Sequence, residues 1–439
     1  MVINDQTGKQ AIAGTLTSGL RSVFAYTPTM GLTAPPPEVS FTKDPVPPWS
    51  MSTLAQLASS SLHPSEKSPA SATSTSLTSP ESRVQLGFGF DLYFLPSQAI
   101  KDIFCTVKSL GVRLVTSHYV RLQGAESYSI PAILDGCGLL DGNVVLSHAG
   151  GATVNDAKLL LKSKTYISVT PETEASMAVG PSIAFKPPMP SASPDDNSET
   201  ISVEGKQSEQ TPCLDSLCSL GVDSHAIANS SPVSQMRTLL HSSRAAHSLT
   251  HHLAGTLPAR PSDPPTDKQL REPFLQAYKS PNQPYRSCLD VFNLATIQGA
   301  RALGMESDIG SIAIDKKADL VIWKTTSPSM VCAAQRDPVA AVVMHSGVGD
   351  VESVLVDGVM RKRAGELVSL AKVTWVAPEQ TAEANGGGRY VEMGETVGWD
   401  EVVVKVLDMQ SRWAEMLTGW DLGKITSAFY QMFHVTQSD

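Results

Sequence analysis

Short apolar runs alternate with stretches of helical spacing along this chain, and that alternation limits the fold more than any other feature. The apolar runs lie at residues 19–27, 84–94, 112–119, 143–150, 164–172 and 217–226. Helical spacing marks residues 99–110, 155–161, 232–246 and 288–303. Several of the runs are almost continuously apolar, as in strands that are buried on both faces. Strand and helix in repetition predict a parallel α/β sheet.

Two architectures contain such a sheet, the (β/α) barrel and the doubly wound open sheet. The open sheet often carries a G-x-G-x-x-G turn after a strand, and no such turn follows any of these runs. Polar residues stand near the C-terminal ends of four runs, namely His118, His148, Glu172 and Asp223. In a (β/α) barrel this edge carries the chemistry. We therefore favour the barrel and keep the open sheet as the alternative.

Segments of different composition interrupt the alternation. Residues 28–83 and 186–212 are rich in proline, serine and threonine or in charged residues. Such segments cannot bury enough apolar area to offset the entropy of ordering the chain, so both are predicted to be disordered insertions. Residues 257–273 have a similar composition and are predicted to form an irregular surface loop.

The remaining chain divides into three predicted regions. Residues 1–27 and 84–303 form the barrel region. Residues 304–375 alternate apolar and polar positions around an Asp-Gly turn at 357–358, which predicts antiparallel strands of a small partial β-sandwich. Residues 376–439 are predicted to be a helical extension, with a docked amphipathic helix from Glu401.

Charge and cysteine content restrict the partners and the compartment. The chain has 43 acidic residues against 34 lysines and arginines, a formal charge of −9. Neither nucleic acid nor an anionic membrane is expected to bind such a surface. Six cysteines without C-x-x-C spacing predict free thiols in a reducing compartment. With no signal-peptide pattern at the N-terminus, the sequence predicts a cytoplasmic protein.

The polar strand ends suggest a metal site. Two imidazoles and a carboxylate, from His118, His148 and Asp223, are ligands that a divalent transition metal such as zinc accepts. The alternative is that each side chain ends its strand and bonds a neighbouring loop. Glu172 and Glu174, in the sequence PETE, predict either a pair that contacts substrate or the first turn of a helix.

Two long motifs resemble the C-terminal region of amidohydrolase-superfamily enzymes. They are ATIQGARALGMESDIGSIAIDKKADLVIW at 295–323 and DPVAAVVMHSGVGDVESVLVDGVMRKRAGEL at 337–367. The resemblance extends back through VVLSHAG and RLVTSHYV to AGTLTSGLRSVFAY. It is strongest to the group that contains chlorotriazine hydrolases and guanine, cytosine and methylthioadenosine deaminases. It implies a metal-bearing (β/α) barrel with a small β-sandwich.

The resemblance also implies roles for individual residues. His118 matches a metal-ligand histidine, and Asp223 matches an aspartate that binds metal and moves protons to and from the attacking water. His148 matches a histidine that usually faces the substrate, and it is expected to be catalytic and to bind substrate. Glu172, from the PETE sequence rather than from the resemblance, is expected to contact substrate as well. The implied cofactor is a divalent metal, zinc or iron. The implied reaction is hydrolysis of a carbon–nitrogen bond in a small heterocyclic substrate, such as deamination of a cyclic amidine; a homo-oligomeric state is left open.

The chain departs from the family pattern at three points. No H-x-H pair occurs in the sequence, although the family draws two metal ligands from such a pair. Only six barrel-like strands are present, so the barrel is predicted to be incomplete and N-terminally truncated. The position of an expected glutamate, three residues after His118, holds Arg121. Three hypotheses follow: a metal-dependent hydrolase, a catalytically inactive relative with an interaction role, or the product of an incomplete gene model.

Overall fold

A computed structural model describes most of the chain. The described residues are 5–28, 32–34, 40–41, 44–63, 74–121, 128–185, 212–253, 286–377, 388–421, 423–424 and 427. The chain forms two compact units. Unit 1 contains residues 1–115 and 353–439, and unit 2 contains residues 116–352.

The described elements are numbered in chain order. The helices are α1 Asp5–Ser18, α2 Pro48–Ala58, α3 Ser97–Ser109, α4 Ile130–Cys137, α5 Val154–Ser163, α6 Pro171–Ser176, α7 Pro232–Leu253, α8 Cys288–Leu294, α9 Ile297–Ala302, α10 Val331–Ala334, α11 Pro338–Ala340 and α12 Trp399–Leu417. The strands are β1 Ser22–Tyr26, β2 Leu32–Ala34, β3 Ser40–Phe41, β4 Ser61–His63, β5 Thr75–Ser76, β6 Val84–Gly89, β7 Val115–Val120, β8 Val144–Gly150, β9 Tyr166–Val169, β10 Cys218–Leu220, β11 Leu320–Trp323, β12 Val351–Val356, β13 Val359–Arg363, β14 Glu366–Leu367, β15 Leu370–Val376 and β16 Arg389–Val397.

Unit 2 is built on parallel strands in the order β7, β8, β9, β10. A helix follows β7, β8 and β9 in turn, as the alternation in the sequence predicts. The strands are buried because their apolar side chains pack under these helices, and Leu146, Ile167 and Val169 are fully buried. Helix α5 begins at a capping box, in which Thr153 and Asp156 satisfy each other's backbone N–H groups.

Unit 1 repeats the strand-and-helix pattern and adds small sheets. Strand β1 pairs in parallel with β6, and α3 follows β6. Strands β15, β16, β4 and β5 form a second sheet, in which the Val373 N–H donates to Thr17 Oγ1 of α1 at 2.9 Å. Strands β12 and β13 form the predicted hairpin at Asp357–Gly358. The fold class is the predicted one, an incomplete TIM-like (β/α) barrel with additional small sheets.

The prediction of disorder for 28–83 was wrong for part of that segment. Pro48–Ala58 is helix α2, whose Leu54 and Leu57 are fully buried, and β4 pairs with β16. Apolar residues at helical spacing order this stretch in spite of the proline and serine around it. Of the second predicted insertion, 186–211 lies outside the described residues, as does the predicted loop at 257–273.

The C-terminal region also differs from its prediction. Strand β16 lies inside the segment 376–439, which was predicted to be helical, and pairs with β15. Helix α12 forms, but the prediction that it docks was wrong, because none of its side chains is buried. Apolar spacing identifies a helix face without identifying the surface that covers it. Among the described helices, none combines the length and the apolar character that a membrane span requires.

Candidate active site

The candidate site lies in unit 2, where consecutive parallel strands end. His118 belongs to β7 and His148 to β8, while Asp223 follows β10 by three residues. The C-terminal ends of parallel strands meet at one edge of a sheet, so these side chains approach each other although they are far apart in sequence. The structure therefore brings together three of the four predicted site residues.

His148 stands at the centre of this group. The His118 ring stacks on the His148 ring, with centroids 5.9 Å apart and planes inclined by 23°. His148 Nε2 lies 3.9 Å from Asp223 Oδ2, which is farther than a hydrogen bond. His148 is 7% exposed, whereas the Asp223 side chain is 25% exposed. One end of the imidazole thus faces a carboxylate that solvent can reach.

The opposite end of the His148 ring is held inside the unit. Its Nδ1 lies 2.8 Å from Thr170 Oγ1, at the end of β9, and 3.7 Å from Glu174 Oε1 in α6. Glu174 is 2% exposed, and its Oε1 accepts the Thr170 N–H at 2.9 Å. We predicted Glu174 only as part of a substrate-contacting pair or a helix start, so its position behind His148 is new.

The backbone at this edge adopts conformations that ordinary side chains rarely take. His148 and Ala149 have φ values of 72° and 55°, and Asp223 has 58°. Each such residue costs on the order of 1–3 kcal/mol. Gly151 follows with a φ of 74°, and a Cβ there would lie 2.7 Å from the Arg121 carbonyl oxygen. Both its left-handed φ and the nearby Arg121 carbonyl therefore favour glycine at position 151.

Asp156 holds the end of β7 on the neighbouring side. Its carboxylate is buried and accepts hydrogen bonds from Tyr119 Oη at 2.8 Å, Ser129 Oγ at 2.5 Å and Arg121 Nη1 at 3.1 Å. The N–H and hydroxyl of Thr153 donate to it as well. Burial acts to raise the pKa of Asp156, but the bonds from Ser129, Thr153 and Tyr119 outweigh it and the pKa is lowered. Burial and the bond to Asp156 raise the pKa of Tyr119, so this phenol stays protonated and donates.

Arg121 is therefore part of a structural ion pair. It occupies the position where the family resemblance expects a glutamate. The guanidinium is instead paired with Asp156, and its side chain is 16% exposed. A carboxylate that shuttles protons is absent from this position, as the sequence shows.

Glu172, the fourth predicted residue, contacts helix α7. Its Oε2 accepts the Asn229 N–H at 2.9 Å, and its Oε1 accepts the hydroxyls of Thr238, at 3.1 Å, and of Ser234. Both carboxylate oxygens are thus engaged away from His148. A contact between Glu172 and substrate stays a prediction, and these bonds favour a role in joining α6 to α7.

The donor set does not fit the predicted metal. Among the described residues, no group of three or more His, Cys, Asp and Glu side chains is arranged to hold a metal ion. His118 and Asp223 alone supply fewer than the roughly three protein ligands of a catalytic zinc. His148 Nε2 faces the same space as Asp223, but among the described residues these three side chains are not arranged as a metal-binding group.

Comparison with known proteins agrees with the motifs quoted above. Residues 274–361 match the model of the amidohydrolase family. The chain is 43% identical over 75 residues to a 5-methylthioadenosine/S-adenosylhomocysteine deaminase of Desulforudis audaxviator, covering 17% of each chain. It is 40% identical over 100 residues to a 5'-deoxyadenosine deaminase of Methanothermobacter thermautotrophicus, covering 22% of each. This part of the chain is thus related to the amidohydrolase superfamily. It aligns with only about a fifth of the length of these curated relatives.

Solved structures with a partly similar fold have lower sequence identity to this chain than the curated relatives do. An adenosine deaminase from Xanthomonas campestris, solved with bound zinc, has a TM-score of 0.49 and 16% identity, covering 83% of this chain and 71% of that one. The atrazine chlorohydrolase of Arthrobacter aurescens, complexed with zinc, has a TM-score of 0.47 and 14% identity, covering 83% and 73%. The zinc belongs to those proteins, and likeness at this level says nothing about the site of this chain.

Proposed function

We propose that this chain is a deaminase-like hydrolase of carbon–nitrogen bonds that acts slowly on a small heterocycle, such as a cyclic amidine or an aminoheterocycle. The observation that carries the proposal is the convergence of His118, His148 and Asp223 at one strand edge. The amidohydrolase match at 274–361 and the deaminase names of the curated relatives support this class of reaction.

Hydrolytic deamination replaces an amino nitrogen by the oxygen of water. In our proposal the Asp223 carboxylate accepts a proton from water while the water oxygen attacks the ring carbon. The carboxyl then returns that proton to the departing nitrogen, so that a C–O bond forms, the C–N bond breaks and ammonia leaves. His148 Nε2 faces the same space and orients the group that reacts.

Slow turnover follows from the incomplete donor set. A metal that fitted the site would lower the pKa of bound water to about 7, but the described residues do not provide its ligands. The carboxylate must then activate water of ordinary acidity, which is a much harder proton transfer. We therefore expect the chain to retain little zinc through purification.

A second candidate function is a catalytically inactive relative that keeps an interaction role. The Arg121–Asp156 ion pair favours it, because it turns the position of an expected acid/base residue into part of a buried structural network. This candidate predicts a folded protein without hydrolytic activity.

The test uses the full 439-residue chain. Metal content is measured after purification, and ammonia release is followed with methylthioadenosine, guanine and cytosine. We expect substoichiometric zinc and slow ammonia release that Asp223→Ala abolishes. Asp135→Ala, at an exposed position of α4 in the same unit, is the control and should keep most of the activity.

The other outcomes separate the candidates. No ammonia release above that of Asp223→Ala, from any of the three substrates, would overturn the hydrolase proposal and leave the inactive relative. Stoichiometric, tightly held zinc with fast turnover would show that the site assembles a complete ligand set, contrary to our reading of its donors.

A further inference from the structure

The His148 ring lies between two carboxylates that differ in distance and in exposure. Glu174 Oε1 is 3.7 Å from Nδ1, and Asp223 Oδ2 is 3.9 Å from Nε2. A neutral imidazole carries one hydrogen, on either nitrogen, and the carboxylates compete to attract it. We infer that Glu174 is a positioning residue that fixes His148 in the tautomer with hydrogen on Nδ1, so that Nε2 offers a lone pair to the site.

Burial gives Glu174 the stronger influence on the ring. Its side chain is 2% exposed, and its Oε2 has no hydrogen-bond partner among the described residues. The charge of such a group is poorly screened, because neither water nor a full set of donors surrounds it. Asp223 is farther from the ring and 25% exposed, so solvent screens its field.

The position of Thr170 also favours the tautomer of His148 with hydrogen on Nδ1. Its Oγ1 lies 2.8 Å from Nδ1, within hydrogen-bond distance, and can accept from an Nδ1–H group. Its backbone N–H holds Glu174 Oε1 in place at 2.9 Å. An unprotonated Nδ1 would instead direct its lone pair toward the buried carboxylate. The His118 ring stacks on the face of the His148 ring, with the two centroids 5.9 Å apart.

This tautomer has a consequence for the ligand. An unprotonated Nε2 accepts a hydrogen bond, so the edge selects a group that donates one, such as the amino group of an aminoheterocycle. That use of Nε2 rests on the proposed function. The tautomer itself does not, because it follows from groups that are present without substrate.

The experiment reads the tautomer directly by NMR. The full chain is labelled with ¹⁵N-histidine, and two-bond ¹H–¹⁵N correlations near neutral pH distinguish protonated from unprotonated ring nitrogens. The chain has 10 histidines, and His148→Gln identifies the signals of His148 by their disappearance. We expect a protonated Nδ1 and an unprotonated Nε2.

Two variants test the cause. Glu174→Gln keeps the shape and removes the charge, and we expect the ratio of Nδ1–H to Nε2–H forms to fall about tenfold, which corresponds to about 1.4 kcal/mol. Glu172→Gln is the matched control on the same helix, and it should leave the ratio unchanged. Glu174→Asp retains the charge at a greater distance and should give an intermediate ratio, which also serves if Glu174→Gln does not fold.

Three results would contradict the inferred tautomer of His148. An Nε2–H form or a doubly protonated ring in the wild-type chain would refute the inference. So would an unchanged ratio in folded Glu174→Gln. None of these results depends on ammonia release, so a chain that proves inactive still tests the tautomer, and an active chain with the wrong tautomer refutes only this inference.

Discussion

Two carboxylates of unit 2 lie near strand ends and have opposite surroundings. Asp156 is buried, accepts hydrogen bonds from four residues and neutralises Arg121. Asp223 is partly exposed, stands beyond hydrogen-bond distance from His148 and has left-handed backbone geometry. The hydrogen bonds around Asp156 stabilise the unit. The surroundings of Asp223 instead hold a charge and backbone strain that the fold alone does not require.

The difference suggests how this edge differs from the family pattern. At the end of β7, the position expected to hold an acid/base glutamate has become part of a structural ion pair. Near the ends of β8 and β10, His148 and Asp223 lie 3.9 Å apart, and our proposal gives them the proton transfer. The structural network and the proposed chemistry thus lie at neighbouring strand ends, and substitutions should separate the two.

The largest expected effect is that of Asp156→Ala. Removing this carboxylate leaves the Tyr119 hydroxyl and the half-buried Arg121 guanidinium without their partner. Breaking a buried ion pair in this way costs about 3–5 kcal/mol. Urea denaturation should show that loss in the free energy of unfolding. A loss no larger than that of Asp223→Ala, measured in parallel, would remove the distinction between the two regions.

A smaller loss is expected from Arg121→Glu, which restores the residue type that the family resemblance expects. The new carboxylate would lie beside Asp156, which Arg121 Nη1 now approaches to 3.1 Å. Because the site is partly solvated, we expect about 1–3 kcal/mol rather than the full cost of a buried like-charge pair. Arg121→Gln, which keeps a donor, is the control and should lose less. If Arg121→Glu is as stable as wild type and gains ammonia release, the position is catalytic after all.

A third, smaller effect is expected in the pH dependence of stability, to which Asp156 contributes. The pKa of Asp156 is lowered in the folded chain, so the unfolded chain takes up the proton first as the pH falls. The contribution to stability is therefore complete above the unfolded pKa of about 3.9 and is lost as the pH falls through the folded pKa. Denaturation between pH 7 and pH 3 should show a shallower decline for Asp156→Asn than for wild type. Equal slopes would mean that the carboxylate is not held as the structure indicates.

The residues of the two regions were not equally predictable from sequence. His118, His148 and Asp223 were found because parallel strands end at a common edge, a rule that needs only the strand assignments. Asp156 was not found, because its donors Tyr119, Arg121 and Ser129 come from other elements and leave no local pattern. Glu174 was predicted only as a substrate contact or part of a helix start, and its position behind His148 was not foreseen, because its approach to the ring and the bond of Thr170 to the ring are both tertiary.

Dependence on distant contacts also explains which parts of the fold were predicted and which were not. Continuous apolar runs identified the strands of unit 2, since burial on both faces leaves a strong local pattern. Strands β4 and β16 were overlooked because their order depends on pairing with each other across a long stretch of chain, and helix α2 was overlooked because the proline and serine around it masked its apolar spacing. Composition predicts whether a segment can form a core by itself, and it says little about a segment that joins another one.

The smallest expected effect is a gain, from Asp223→Gly. Asp223 has a φ of 58°, where an L-residue pays on the order of 1–2 kcal/mol that glycine does not. Glycine loses more backbone entropy on folding, about 0.5–1 kcal/mol, so we expect a net stabilisation of roughly 0.5–1 kcal/mol in urea denaturation. Asp223→Asn is the control, since it removes the charge and keeps a side chain at the same φ. If Asp223→Asn gains as much stability as Asp223→Gly, the effect comes from the charge. If only Asp223→Gly gains stability, the effect comes from the backbone conformation. A loss of stability in both would show that the Asp223 carboxylate supports the fold as Asp156 does, and the contrast between the two strand ends would fail.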